Sequence, residues 1–171
     1  MLYFNGFSLK NEEELFKEYL DNSLYSVTGF SYGAIKAFEY TYQTNNRIDT
    51  LTLLSPAFFQ NKSEKFKRLQ LLNFKKNPKN YIEKFLQNVA YPSTIELKKY
   101  LLEGSYQELS ELLNYVWDEN KLQNIIDKGI DIEVYLGEKD KIVDAKEIYN
   151  FFKPYATIYY YKNKGHILCK L

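Results

Sequence analysis

The pentapeptide Gly29-Phe30-Ser31-Tyr32-Gly33 sets a hydroxyl between two glycines. It follows the run Leu24-Tyr25-Ser26-Val27-Thr28 and opens a helix-like stretch from Tyr32 to about Tyr42. A G-x-S-x-G pattern alone is weak. It gains force when a strand precedes it and a helix follows, because that sharp turn exposes the serine and aims the first helical N–H groups at it. Side chains in place of the glycines would collide across such a turn. Ser31 is therefore a candidate nucleophile. The plain alternative is a glycine turn between strand and helix.

A serine nucleophile needs a base, and the chain has one histidine, His166. It follows the last predicted strand, 156–162, where a loop at the strand's carboxyl end would carry it. Ser31 leaves its own strand at that same edge of a parallel sheet. The third member is a carboxylate that holds the imidazole tautomer and stabilises the imidazolium. The stretch Val134-Tyr-Leu-Gly-Glu-Lys-Asp-Lys-Ile-Val-Asp144 offers two candidates just past a strand at 130–137. Asp140 sits in the loop itself and is preferred; Asp144 is also a natural cap for the following helix. Glu138 is closer to the strand. Two amide donors must then face the developing oxyanion. Tyr32, after the serine, supplies one; the Phe7 N–H, in the turn Asn5-Gly6-Phe7-Ser8, is the candidate for the other.

The elements around these residues follow a strand–helix rhythm. Strands are predicted at 2–4, 24–28, 48–56, 130–137 and 156–162. Asn11, followed by Glu12, Glu13 and Glu14, reads as the cap and first turn of a helix that buries Leu15, Phe16, Tyr19 and Leu20. Another helix spans roughly 144–152. Between 57 and 128 no strand is evident. There, Phe66, Leu69 and Leu72 mark one amphipathic helix and Tyr81, Ile82, Phe85, Leu86 and Val89 another. Ser93/Glu96 and Ser105/Glu108 have capping-box spacing. Leu109, Leu112, Leu113, Val116 and Trp117 continue the apolar stripe. The expected fold is one α/β domain, a mainly parallel sheet with an all-helical cap, 57–128, inserted after the third strand.

Composition limits the partners. The 171 residues carry a net charge of +1, which does not point to nucleic acid. One cysteine, Cys169, leaves no internal disulfide and reads as packed rather than reactive. One histidine and one cysteine exclude the common zinc sites, and no metal or cofactor is expected. No stretch approaches a membrane span, and the first residues lack a signal-peptide pattern, so a cytoplasmic location is expected. Charge is uneven within the cap. Between Lys62 and Lys84 lie eight basic and two acidic residues, whereas Glu103–Glu119 holds acidic residues only. Lys62, Lys65, Arg68, Lys75 and Lys76 are either a solvated surface or a landing patch for an acidic protein. Phe66 and Trp117, with Phe85 and Leu113, either line an acyl channel or form the cap's own core.

The segments "NGFSLKNEEELF", "VTGFSYGAIKAFEY", "LTLLSP", "GEKDKIVD" and "GH", in this order, resemble the α/β-hydrolases. More narrowly they resemble the short pimeloyl-acyl carrier protein methyl ester esterases of biotin synthesis, the BioV type, and "FKRLQLLNFKKNP" extends the likeness into the cap. The resemblance implies hydrolysis of a methyl ester at the far end of a carrier-bound pimeloyl chain, releasing methanol. It implies a Ser31–His166–Asp140 triad, Phe7 and Tyr32 around the oxyanion, and acyl carrier protein as partner on the basic patch. The chain departs from many relatives in having Asn5 where they carry histidine, and in having a single strand before the one that leads to Ser31. A thioesterase or acyltransferase on carrier-bound chains, and a hydrolase-like binding module without catalysis, are the competing readings.

Overall fold

The computed structural model describes residues 1–169. Five strands form one sheet: β1 (Leu2–Phe4), β2 (Ser26–Phe30), β3 (Thr50–Leu54), β4 (Asp131–Gly137) and β5 (Thr157–Tyr161). All neighbours pair in parallel, and the spatial order is the chain order. The central strands are apolar and buried, as a parallel sheet covered on both faces requires. The edge strands are short or half exposed. Register aligns Phe30 with Leu54, Leu54 with Tyr135 and Tyr135 with Tyr159. The chain therefore leaves β2, β3, β4 and β5 at one edge, where four loops converge.

Helices α1 (Tyr32–Gln43), α5 (Glu119–Asp127) and α6 (Ala145–Phe152) form one layer. Trp117 joins it, packing between Phe38 of α1 and Phe152 of α6, each 5.0 Å away between ring centres. Lys121 of α5 pairs with Glu39 of α1 at 2.8 Å. Against other strand positions, Phe16 packs tilted on Phe30 at 4.8 Å and Tyr19 meets Tyr135 edge-on at 5.2 Å. Burying side chains of this size stabilises the fold by roughly 1.5–3 kcal/mol apiece.

The cap consists of α2 (Glu64–Lys76), α3 (Pro78–Ala90), a short 3₁₀ turn (Lys98–Tyr100) and α4 (Tyr106–Asn114). Ser63 and Asn77 cap α2 and α3 through side-chain oxygens, and Ser105 with Glu108 closes a reciprocal capping box on α4. Residues 8–10 and 100–102 tie cap to sheet through the Leu9–Leu101 bridge and the Lys10 N–H to Tyr100 carbonyl bond of 2.8 Å.

Several local expectations need correction. The helix predicted from Asn11 is only the 3₁₀ segment Glu12–Phe16; Asn11 is left-handed and its side chain caps nothing. Its N–H is taken instead by the Asn5 side chain at 3.1 Å. Ser93 and Glu96 form no box: the Ser93 hydroxyl turns back to the Ala90 carbonyl at 2.7 Å. The second strand runs to Phe30, past the glycine at which the sequence pattern stops it. On α2, Leu69 and Leu72 are 51% and 53% exposed, while Lys67 and Phe74 face inward. Neighbouring cap helices choose the buried face of α2, and apolar spacing alone does not reveal it. Finally, α5 lies in the sheet layer, so the cap proper ends before it.

Candidate active site

Ser31 stands between the last residue of β2 and the first turn of α1 with φ 53° and ψ −113°. Such a conformation costs roughly 1–3 kcal/mol and persists only where the surroundings enforce it. The Ser31 N–H donates to the Leu54 carbonyl at 2.9 Å, and its carbonyl accepts from Ala57 at 3.1 Å. The flanking glycines allow two close approaches. A Cβ on Gly29 would lie 2.2 Å from the Gly33 carbonyl oxygen, and one on Gly33 would lie 2.0 Å from that of Phe4. Helix α1 thus rests directly on the ends of β1 and β2, with its amino end at the hydroxyl.

His166 is fully buried. Its Nε2 is 2.9 Å from Ser31 Oγ, and its Nδ1 is 2.6 Å from Asp140 Oδ2. The other Asp140 oxygen accepts the N–H groups of Ile142 and Val143 at 2.7 and 3.0 Å. With the carboxylate as acceptor, Nδ1 carries the proton and the Nε2 lone pair is free to accept from the serine hydroxyl. Asp144 instead caps α6, accepting from Lys146 and Glu147. Position in the loop separates the two aspartates: one reaches back across the strand ends, and the other stays with its helix.

The histidine loop is fastened by residues that the sequence does not single out. Ser55, at the end of β3, donates its hydroxyl to the His166 carbonyl at 2.7 Å. The Tyr19 hydroxyl donates to the Leu168 carbonyl at 2.8 Å, and Lys164 pairs with Glu18 at 3.0 Å. A Cβ on Gly165 would come within 1.8 Å of the Tyr91 carbonyl oxygen, so only glycine lets this loop meet the end of α3 so closely. No sequence pattern gives Ser55 or Tyr19 this task, because their partners lie over a hundred residues away.

Tyr32 lines a cavity of about 340 Å³ together with Asn5, Gly6 and Ser8 of the 5–8 turn; Phe7 does not line it. Among the described residues, neither the Phe7 nor the Tyr32 N–H donates to a protein acceptor. The Phe7 side chain is buried against Phe85 and Phe74 of the cap.

A cavity of about 620 Å³ lies between the cap helices and the Asp140 loop. Phe66, Phe85 and Leu113 line it, and Ile142 joins it to the Asp140 loop; Ser31 and His166 do not line it. Ser31 itself is only 4% exposed, so the described conformation closes over the hydroxyl. Trp117 does not line this cavity. Its indole N–H donates to the Ala57 carbonyl at 3.0 Å within the domain core, which corrects its expected place in an acyl channel. Both places are marked in the sequence by the same aromatic and leucine residues, so the sequence does not distinguish them.

The expected basic patch is divided. Lys65, Arg68, Lys75 and Lys76 are exposed on α2, beside Leu69 and Leu72. Lys62 precedes the helix and lines a separate groove beside Asp144 and Lys146. Burial raises the thiol pKa of Cys169, which suits a packed residue rather than a thiolate nucleophile. No helix among the described residues is long and apolar enough to cross a membrane, and no group of three or more metal-ligating side chains gathers there.

No protein-family model and no curated protein matches the chain. Solved structures do. BioG from Haemophilus influenzae aligns over 97% of this chain and 87% of its own, with TM-score 0.62 and 13% identity. MenH from S. aureus aligns over 96% and 85%, with TM-score 0.60 and 15% identity. The naproxen esterase of Bacillus subtilis covers 84% of this chain at TM-score 0.58 and 19% identity, and the chain spans 53% of that esterase. The chain has an α/β-hydrolase fold. At these identities the likeness concerns architecture, and chemistry has to be argued from the side chains.

Proposed function

We propose that the protein is a serine carboxylesterase that hydrolyses the methyl ester of pimeloyl-acyl carrier protein, in biotin synthesis, to pimeloyl-acyl carrier protein and methanol. The observation that carries the reading is the relay from Ser31 Oγ through His166 to Asp140, with both hydrogen bonds at 2.9 Å or less. Ser31 Oγ attacks the ester carbonyl carbon while His166 Nε2 takes its proton. The N–H groups of Phe7 and Tyr32 stabilise the oxyanion. Collapse expels methoxide, which leaves as methanol with the proton from His166. Water, deprotonated by the same nitrogen, then releases the acid from the acyl-enzyme.

The cap supports the choice of substrate. Its cavity, walled by Phe66, Phe85 and Leu113 on one part and by asparagines and lysines on another, suits an acyl chain with a polar end. The outer face of α2 combines Arg68 and Lys75 with exposed Leu69 and Leu72, a surface suited to an acidic carrier with an apolar contact. Lys65 extends it, Lys76 lines the cap cavity and Lys62 contributes from the neighbouring groove. Methanol release from methyl pimeloyl-carrier, abolished in Ser31→Ala, tests the reading. Release of free carrier instead would make the protein a thioesterase. The near-complete burial of Ser31 favours one further reading, a hydrolase-like binding module, and lack of any turnover would uphold it.

A further inference from the structure

The 3₁₀ segment Glu12–Phe16 begins with three carboxylates, and one of them turns inward. Glu12 is 0% exposed. Its Oε1 accepts the Gly6 N–H at 2.6 Å and the Tyr3 hydroxyl at 3.4 Å, while Oε2 has no hydrogen-bond partner among the described residues. Burying a carboxylate with one bare oxygen is unfavourable, and an apolar side chain there would avoid that cost. The nearby geometry indicates what the carboxylate does. The Gly6 carbonyl accepts from Leu9 at 3.2 Å. In a trans peptide the N–H of the next residue points opposite that carbonyl. Holding Gly6 at both its N–H and its carbonyl therefore fixes the direction of the Phe7 N–H. The turn also presses on the nucleophile's neighbour: a Cβ on Gly6 would lie 2.7 Å from the Phe30 ring, which Phe16 covers from the other end of the same segment.

We propose that Glu12 is a positioning residue, whose ionised carboxylate holds the Gly6 peptide so that the Phe7 N–H is aimed at the oxyanion formed on Ser31 attack. The inference rests on the esterase reading given above. A charge-assisted bond of this length is stronger than one to a neutral acceptor, so protonation or an amide in its place loosens the turn. Burial pushes the Glu12 carboxyl up to about 6, opposed by the Gly6 N–H. Tyr3 on β1 and Glu13 on the same segment act on it, and Lys36, Glu103 and Glu108 line the adjoining cavity.

Hydrolysis of p-nitrophenyl butyrate by the full chain, from pH 5 to 8, tests the proposal in wild type, Glu12→Gln and Glu12→Ala. Rates are normalised to Ser31 titrated with a fluorophosphonate, so unfolded protein does not count. Removing an oxyanion donor outright costs about 10²–10³ in kcat, so misaiming one should cost about tenfold in Glu12→Gln and more in Glu12→Ala, with KM little changed. Wild type should lose kcat on acidification partly through protonation of Glu12, a loss of up to about tenfold that Glu12→Gln should not show. Normalised kcat within about twofold of wild type, or an acid-side loss of kcat identical in wild type and Glu12→Gln, overturns the proposal while leaving the esterase reading intact. A wild-type protein that neither labels at Ser31 nor turns over the ester overturns both.

Discussion

The carboxyl edge of the sheet and the cap solve different problems with similar residues. At the edge, each side chain is positioned by a strand end: Ser31 by β2, Ser55 by β3, Asp140 by β4 and His166 by β5. Register fixes where those ends fall, and bonds such as Ser55 to the His166 carbonyl lock the loops. In the cap, helix–helix packing decides which face is buried, and α2 turns two leucines outward while Lys67 goes in. Geometry is thus specified tightly where chemistry is proposed. The surface proposed for the partner is specified only by charge and exposure.

The comparison breaks most sharply at the aspartates. Asp140→Asn should lower kcat by about 10⁴, because the amide favours the wrong imidazole tautomer. Steady-state kinetics on a chromogenic ester checks this, and a loss under tenfold would detach Asp140 from the relay.

Glu12 tests the edge through pH. Its folded pKa of about 6 lies above the ordinary 4.5. A raised carboxyl favours folding below the lower value, and that contribution is lost as pH rises through the upper one. Wild type should therefore lose about 2 kcal/mol relative to Glu12→Gln between pH 4 and pH 8. Denaturant melts at the two pH values measure the gap.

The cap should respond selectively. Reversing Arg68 and Lys75 to Glu should slow the carrier-bound ester about tenfold and leave a free short methyl ester unaffected. Equal slowing of both would assign α2 to stability instead of docking. The smallest effect belongs to Asp144→Ala, which removes a helix cap worth about 1 kcal/mol and lowers Tm by about 2–4 °C with kcat retained.

How much the sequence discloses follows the same division. Strand rhythm and the serine turn are legible because they are local: a glycine-flanked serine after an apolar run, and a lone histidine after the last strand. Asp140 is legible as a loop position, and the structure brings it to His166. Trp117 is not, since an aromatic residue near the end of the cap has the same signature in a channel as in the core. Glu12 looks like a carboxylate favouring a helix dipole, and nothing in Asn-Glu-Glu-Glu-Leu-Phe tells which of the three turns inward. Tyr19 and Ser55 act through contacts far apart in sequence, beyond the reach of any local pattern.

The direct test of the relay is covalent. Native protein treated with a fluorophosphonate and digested should carry one adduct, on Ser31, and replacing His166 with Ala should slow its formation by orders of magnitude. An unlabelled Ser31, or labelling at an unchanged rate without His166, would contradict the account.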